Sequence, residues 1–343
     1  MNRFTVVLVS VLVVLAALAV GLLFVGTVRI PANEVMNILT GGVSEHQPWN
    51  FIVIESRLPL IVTSALAGAA LAICGLLLQT LFGNALADPS ILGISTGSSL
   101  GAGCVMLAFG SPLGAWLGAA AGGYVATLLG AFIGAMVVML VLLGFSVVVK
   151  SSTMLLIVGV LVSYLASSAI SLLNFFSTKE GVHSFVIWGL GNFSGVTLRQ
   201  LPLFASVILL GLLASFMMIK PLNALLLGRR YAENLGVNLQ STRNRLLLIT
   251  GVLTAVVTAF CGPIGFIGLV VPHISRLLLR TSDHMRLIPI TVLLGAAIGM
   301  FCSFVSVLPM SNGTIPINAI TPFIGVPVII YIILNRRKIF YFN

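Results

Sequence analysis

The sequence has very few charged residues for its length. Only 7% of its 343 residues are Asp, Glu, Lys or Arg, whereas a soluble domain carries roughly 25%. Long stretches contain none of them: 58–87, 89–149, 151–178, 246–275 and 287–335. Because one crossing of a bilayer needs about 20 apolar residues, each stretch predicts between one and three spans. The chain is therefore predicted to be an all-α polytopic membrane protein.

Several chemical motifs are also missing. None of the four lysines follows a glycine in the GxxxxGK[ST] pattern, so we expect no Walker-type ATP site in this chain. Glu55 and Asp88 lie at predicted span edges, and no other acid comes near a span centre, which disfavours proton coupling. Sodium coupling through carbonyl and hydroxyl oxygens stays open. No cysteine spacing or nucleophile set indicates an enzyme or a metal site.

Turn residues and charges divide the chain into about ten apolar segments. With the first segment starting in the cytoplasm, 13 of the 17 basic residues fall on the cytoplasmic side, which is the expected charge bias. Both termini are then cytoplasmic, and the net charge of +10 indicates topology rather than nucleic-acid binding. The predicted spans are 4–26, 57–82, 91–110, 114–144, 153–176, 198–219, 245–262, 266–280, 287–307 and 318–335.

Small residues recur in several of these spans at the spacing that lets helix backbones approach closely in lipid. The pairs are Gly118/Gly122, Gly130/Gly134 and Gly295/Gly299. They predict tight helix packing rather than a particular dimer face.

One predicted span carries a stripe of polar side chains. Ser163, Ser167, Ser171 and Asn174 recur at spacings of four, four and three, which places them on one helical face. Such a face lines a water-filled path in one interpretation. In the other, the serines hydrogen-bond to backbone carbonyls and only promote packing.

The segment 220–245 is the largest predicted non-membrane feature. It is predicted to form two short helices with Gly228 and Gly236 as breaks, because glycine suits a left-handed helix terminus. Leu235 and Val237 give it an apolar side that favours docking in the groove of a partner protein. The alternative is a solvated basic loop that only fixes topology.

Several sequence blocks resemble the permease subunits of the type II ABC importers that take up iron–siderophore complexes, haem or cobalamin. The similarity runs in order from about residue 30 to residue 335. The blocks are RLP at 57–59, NALADP at 84–89, WGLG at 188–191, GPIGFIGLVVPHISR at 262–276 and TPFIGVP at 321–327.

The resemblance implies a single permease domain over 1–343, with ten transmembrane helices and a cytoplasmic coupling segment at 220–245. It implies a homodimer in the bacterial cytoplasmic membrane, two cytoplasmic ATPase subunits that hold ATP and magnesium, and an extracytoplasmic binding protein. The chain itself would bind no cofactor and would not be an enzyme. It would move a metal chelate by alternating access.

The resemblance also assigns roles to individual residues. Arg57 matches a basic position that meets acids on the binding protein, and Ser151, Ser152 and Thr153 match the cytoplasmic gate. The residues that correspond to the ATPase-contacting coupling helices are Gly228, Arg230, Ala232, Glu233, Leu235 and Gly236.

Some positions depart from the family pattern. Leu60 stands where the family has a second Arg, Gly83 where it has the Arg of an Arg-Asn-Pro motif, and Thr314 and Asn318 where it has Glu and Gly. These departures concern mainly the extracellular face and leave the coupling segment intact.

The rival function is a stand-alone secondary transporter of a small solute, which predicts an intramembrane ion site and no ATPase. A third function, a non-transporting scaffold, fits the polar stripe poorly.

Overall fold

The computed structural model describes residues 3–42, 44, 46–107, 123–149, 151–308 and 314–334. Within these ranges every regular element is a helix, which confirms the all-α class. The first eight α-helices are α1 (Arg3–Phe24), α2 (Ala32–Leu39), α3 (Gln47–Phe51), α4 (Leu58–Phe82), α5 (Ile94–Leu107), α6 (Gly123–Val148), α7 (Ser152–Phe176) and α8 (Lys179–Gly189). The remaining seven are α9 (Leu201–Met217), α10 (Ile219–Leu226), α11 (Arg229–Asn234), α12 (Leu239–Cys261), α13 (Ile267–Leu279), α14 (His284–Ser306) and α15 (Ile317–Leu334).

Each of the ten predicted spans contains one apolar helix: α1, α4, α5, α6, α7, α9, α12, α13, α14 and α15. Parts of three predicted spans, at 108–110, 114–122 and 335, lie outside the described residues. Six of the ten helices are long enough to cross a membrane alone, and α9 becomes a seventh when it is joined to α10, from which it is bent by 50°. Length and composition alone therefore support six or seven full crossings in the described part of the chain.

Helix α13 is short because a non-helical segment precedes it. Its 13 residues extend about 20 Å, less than the roughly 30 Å of a bilayer core. The segment 262–266 contains two left-handed residues, Gly262 at φ 76° and Phe266 at φ 69°, and Pro263 has no backbone N–H. The predicted break between the spans ending at 262 and starting at 266 is confirmed.

Helix α4 is the central helix of the core. A Cβ on its Gly68 would collide with the carbonyl oxygen of Gly295 on α14, and a Cβ on Gly75 would collide with that of Gly268 on α13. A Cβ on Gly299 would similarly collide with the backbone of α4. The predicted small-residue pair on α14 is thus confirmed as a crossing inside one chain.

The pair on α6 forms a second crossing of the same kind. Gly130 and Gly134 of α6 lie against Gly101 and Gly97 of α5, so closely that a Cβ at any of these positions would be obstructed. Van der Waals packing of this type stabilises helix pairs where the lipid offers no hydrophobic driving force. The pair Gly118/Gly122 lies outside the described residues.

Side-chain hydrogen bonds join the helix ends on one side of the bundle. Arg3 Nε donates to the carbonyl oxygen of Leu278 (2.6 Å), and Ser152 Oγ donates to that of Leu81 (3.5 Å). The segment 220–245 lies on the same side. The predicted topology places these helix ends on the cytoplasmic side, together with most Lys and Arg residues. We therefore call this side the basic end.

The other ends meet at the opposite end of the bundle. Tyr124 Oη donates to the carbonyl oxygen of Gly195 (3.0 Å), and Asn318 Nδ2 donates to that of Gly189 (3.1 Å). The predicted topology, in which successive spans alternate in direction, places the residues of these two hydrogen bonds on the extracytoplasmic side. The contacts therefore agree with the predicted succession of the spans.

Candidate functional site

The segment 220–245 forms two short helices at the basic end, as the sequence predicted. Helix α10 ends before Gly228, which has φ 98°, and α11 ends before Gly236, which has φ 83°. Residues with a Cβ adopt such angles only at an energetic cost, so glycine fixes both breaks. Helix α12 then begins at Leu239, six residues before the predicted span at 245, because Asn238 Oδ1 accepts the N–H of Ser241 (2.8 Å) and caps the helix.

The C-terminus of α11 is a Schellman motif. The N–H of Val237 donates to the carbonyl oxygen of Ala232 (3.0 Å), and the N–H of Gly236 donates to that of Glu233 (2.9 Å). These two bonds satisfy carbonyls that a helix end leaves without partners. The motif gives α11 a defined end although the helix has only six residues.

Most side chains of α11 project into the surroundings. Tyr231 is 67% exposed and Leu235, directly after the helix, is 65% exposed, while Arg230 and Glu233 are also exposed. Ala232 is fully buried and anchors the helix on the bundle. Exposed large apolar side chains beside charged ones are typical of a surface that a partner protein covers.

A cavity of about 450 Å³ lies between α10, α11 and the start of α12. Its walls include Lys220, Leu235, Val237 and Arg245. The cavity combines two cationic side chains with two apolar ones. This chemistry suits the insertion of an apolar side chain that has an acidic neighbour.

The predicted gate residues occupy the start of α7. Ser151 Oγ accepts the N–H of Met154 (3.4 Å) and caps the helix, while Thr153 is exposed. Ser152 is buried, and its Oγ accepts a hydrogen bond from the Arg229 guanidinium and donates to the carbonyl oxygen of Leu81. The structure thus brings the predicted coupling and gate residues into contact through Arg229.

Sequence reasoning selected Arg230 and missed Arg229. In a six-residue helix with no clear apolar stripe, the pattern does not show which of two adjacent arginines faces the bundle.

Two further side chains, also missed, join α12 to the end of α6. Arg243 is buried, and its guanidinium donates to the backbone carbonyl oxygens of Ser146 and of Val149 (2.9 Å to Val149). Gln240 Nε2 donates to the same Ser146 carbonyl (2.9 Å). In the sequence Arg243 counted only as one of the cytoplasmic charges, although α6 ends in carbonyls that need donors.

The side chains of the polar stripe on α7 differ in burial and in hydrogen bonding. Ser163 Oγ donates to the carbonyl oxygen of Gly159 (2.9 Å), and Ser171 Oγ donates to that of Ser167 (3.0 Å). These bonds fit the packing interpretation, yet Ser167 and Ser171 are exposed, and no hydrogen-bond partner is present for Asn174 Oδ1 among the described residues. The role of the stripe in a path stays a prediction.

Arg57 lies below the surface at the opposite end. Its side chain is buried, and its guanidinium donates to the carbonyl oxygens of Leu23 and Val28 (2.7 Å to Val28), around the end of α1. Through these bonds the Arg57 side chain stabilises the connection that follows α1. The predicted docking role stays a prediction that requires Arg57 to leave these carbonyls. Arg29, Lys179 and Arg199 are the exposed basic side chains at this end in the described residues.

The positions that depart from the family pattern have different surroundings. Asn318 Oδ1 accepts the N–H of Gly265 (3.3 Å), and its Nδ2 donates to the carbonyl oxygens of Pro263 (2.5 Å) and Gly189. It thereby supplies the partners that the non-helical segment 262–266 lacks. Leu60 is buried, and Thr314 is exposed.

Comparisons with known proteins agree with this architecture. A model of the FecCD transport family matches residues 8–335. The vitamin B12 import system permease protein BtuC of Escherichia coli O9:H4 (strain HS) is 36% identical over 288 residues, which cover 83% of this chain and 84% of that protein. BtuC of Citrobacter koseri is 35% identical over 284 residues, 83% of each chain. A solved metal-chelate type ABC transporter in an inward-facing conformation matches with a TM-score of 0.81 and 28% identity, over 96% of this chain and 98% of that chain.

Proposed function

This chain belongs to the FecCD transport family and is the permease of a type II ABC importer, and on this basis we propose that it carries a bulky metal chelate into the cytoplasm. The substrate class is an iron siderophore, haem or cobalamin. Its support is that similar permeases are named for vitamin B12 import and that a similar structure is of the metal-chelate type.

The observation that carries the energetic part of the proposal is the exposed helix α11 at the basic end. It is anchored by Ala232, displays Tyr231 and Leu235, and reaches the start of α7 through Arg229. We propose that a separate ATPase subunit covers this surface on each of two copies of the chain. ATP and magnesium are then held by the ATPase, and the permease itself is no enzyme.

The exposed sides of α7 and α15 support a homodimer. Only 17% of the spanning residues of α7 are buried, and Leu165, Leu172 and, on α15, Phe323 are exposed. A second copy of the chain would cover these apolar side chains, and the face with Ser167 and Ser171 would line the path between the copies. Alternating access would then rock the two subunits about that path.

We propose that the basic end faces the cytoplasm and that both termini lie there. The charge bias of the sequence supports this orientation, since Lys and Arg are concentrated in cytoplasmic segments of bacterial inner-membrane proteins. The opposite end would receive an extracytoplasmic binding protein. The exposed side chains of Arg29, Lys179 and Arg199 offer cationic partners for acids on that protein.

Reconstitution tests the function directly. The permease is placed in proteoliposomes alone and with its ATPase and binding protein, and uptake of radiolabelled cyanocobalamin, a ferric hydroxamate siderophore and haemin is followed. Uptake of one of these probes that requires the ATPase and ATP is expected. Uptake of a solute by the permease alone, driven by an ion gradient, would establish the secondary transporter instead.

A further inference from the structure

Four polar side chains form a continuous chain of hydrogen bonds across the basic end. Asn223 Nδ2 on α10 donates to Asp283 Oδ1 (2.7 Å), and Asn223 Oδ1 accepts the backbone N–H of His284 (2.9 Å). The His284 ring at the start of α14 joins Asn223 Oδ1 through Nδ1 (2.8 Å) and Thr80 Oγ1 on α4 through Nε2 (2.9 Å). The chain therefore links α10, α14 and α4.

The directions of these bonds are mutually consistent. Because Asn223 donates to Asp283 through its amide nitrogen, its Oδ1 faces His284 as an acceptor. His284 Nδ1 must then carry the proton, and Nε2 accepts the hydroxyl proton of Thr80. Each polar atom thus has a fixed role as donor or acceptor, and replacing Asn223 or Thr80 removes the partner of one His284 ring nitrogen.

Burial makes such a loss costly. His284 is fully buried and Thr80 is nearly so. An unpaired polar group in such surroundings costs its full desolvation energy. Burial tends to raise the pKa of Asp283, but hydrogen bonds from the Met285 N–H and the Asn223 amide hold that pKa below its usual value, so the carboxylate stays ionised and accepts both donors.

The position of the hydrogen-bond chain connects two parts of the molecule. Asn223 lies in the coupling segment 220–245, whereas Thr80 and His284 belong to the helices that cross at Gly68 and Gly295. These side chains therefore form a direct contact between α10 and the α4–α14 core. This route differs from the Arg229–Ser152 contact, which reaches α7.

We propose that Asn223, His284 and Thr80 act as positioning residues that transmit displacement of the coupling segment to the α4–α14 core. This inference rests on the proposed ATP-driven function. All three side chains bond to protein groups, and the role requires no contact with the transported solute. Their effect is on how much transport each hydrolysis of ATP produces.

Matched threonine variants isolate the contact. Thr80→Val keeps the shape of the side chain and removes the hydroxyl that donates to His284 and that also lies 3.0 Å from the carbonyl oxygen of Leu76 in its own helix. Thr250→Val is the control, because among the described residues the buried Thr250 hydroxyl bonds only to carbonyl oxygens of its own helix. Thr80→Ser restores the hydroxyl. Asn223→Ala, on the partly exposed α10, is a second variant should Thr80→Val fail to fold.

The assay uses proteoliposomes with the ATPase and binding protein and the three chelate probes named above. It measures chelate moved per ATP hydrolysed, ATPase co-purification and the melting temperature. We expect Thr80→Val and Asn223→Ala to lower the ratio by roughly 3- to 10-fold, the range for one lost hydrogen bond, with the ATPase still bound. Thr250→Val and Thr80→Ser should keep the wild-type ratio.

Three results would overturn the inference. If Thr80→Val and Asn223→Ala keep the wild-type ratio, or if they lose the ATPase altogether, these residues do not relay motion. If wild-type protein moves none of the three probes in an ATP-dependent manner, the proposed function fails and the inference fails with it. The wild-type arm therefore separates the two failures.

Discussion

Helices α4 and α7 are alike in length and apolar composition but opposite in surroundings. Each has 25 residues and is apolar enough to span a membrane. Yet 78% of the spanning residues are buried in the helix that contains α4, against 17% in α7. Small residues make the difference, because Gly68 and Gly75 admit neighbouring backbones where α7 presents Leu165, Leu172 and Phe175.

The comparison shows that apolar composition sets membrane insertion but not the neighbour of each helix. In lipid an apolar side chain is equally well solvated by acyl chains or by protein, so close packing depends on shape. Helix α4 has the shape for packing within this chain. Helix α7 instead exposes large side chains, which lipid or a second copy of the chain would cover.

The two helices meet at the basic end. The first residue of α7, Ser152, donates to the carbonyl oxygen of Leu81 near the end of α4 and accepts from Arg229. Through Ser152, Arg229 of the coupling segment is therefore joined to both the exposed helix and the tightly packed helix. Substitutions there and along each helix separate the role of packing from that of coupling.

The largest expected effect is on packing at α4. Gly75→Ala places a methyl group on the backbone of Gly268, which is not free to yield, and should destabilise the fold by about 3 kcal/mol. Gly144→Ala on α6 is the control, since a Cβ there meets no described residue within 4 Å. Thermal melting of the purified proteins measures the difference. Equal melting temperatures would show that α4 is not packed as described.

A smaller effect is expected at the end of α11. Gly236→Arg places a bulky cation at a residue with φ 83° on the proposed ATPase surface, and should lower ATP-dependent uptake about tenfold. Gly236→Asn is the backbone control, because Asn tolerates left-handed angles. Unchanged uptake and ATPase binding by the Arg variant would exclude this surface as the coupling site.

The next effect concerns the contact between coupling segment and α7. Arg229→Ala removes the donor to buried Ser152 and should reduce uptake per ATP by roughly 3-fold, the lower part of the range for a hydrogen bond, because the Arg229 side chain is largely exposed. Arg230→Ala removes the neighbouring arginine of the proposed ATPase surface, so it should weaken ATPase co-purification while the uptake per ATP of the assembled complex stays unchanged. If both variants behave alike, the loss reflects charge at the basic end and not the contact with Ser152.

Helix positions could be predicted from the sequence because charges and turn residues mark the ends of apolar stretches. The breaks at Gly228 and Gly236 followed from the same logic, since only local backbone angles decide them. Helix α12 begins six residues before the predicted span at 245, because the cap at Asn238 lies outside the apolar pattern.

Side-chain partners could not be predicted in the same way. Arg57 appeared to be a surface cation, but its carbonyl partners at Leu23 and Val28 are about 30 residues away in the chain. Asn318 appeared to be a departure from a family pattern, and only the fold shows that it bonds to Pro263 and Gly265. Contacts of this kind depend on how the helices cross, which a single sequence does not encode locally.

The smallest expected effect is a difference in the rate at which cysteines on the exposed helices α7 and α1 are labelled. With exposed Cys104 replaced by Ser, cysteines at Ser167 and Ser171 of α7 and at Val13 of α1 are treated with a water-soluble maleimide in the assembled complex. Val13 is exposed on a helix with no polar stripe, so lipid should cover it and labelling should be slow. If α7 lines a path, Ser167→Cys and Ser171→Cys should label faster and at rates that change with nucleotide, with uptake little affected. Equally slow labelling at all three positions in every nucleotide state would assign the serines of α7 to packing alone, because hydroxyls bonded to their own helix need no water beside them.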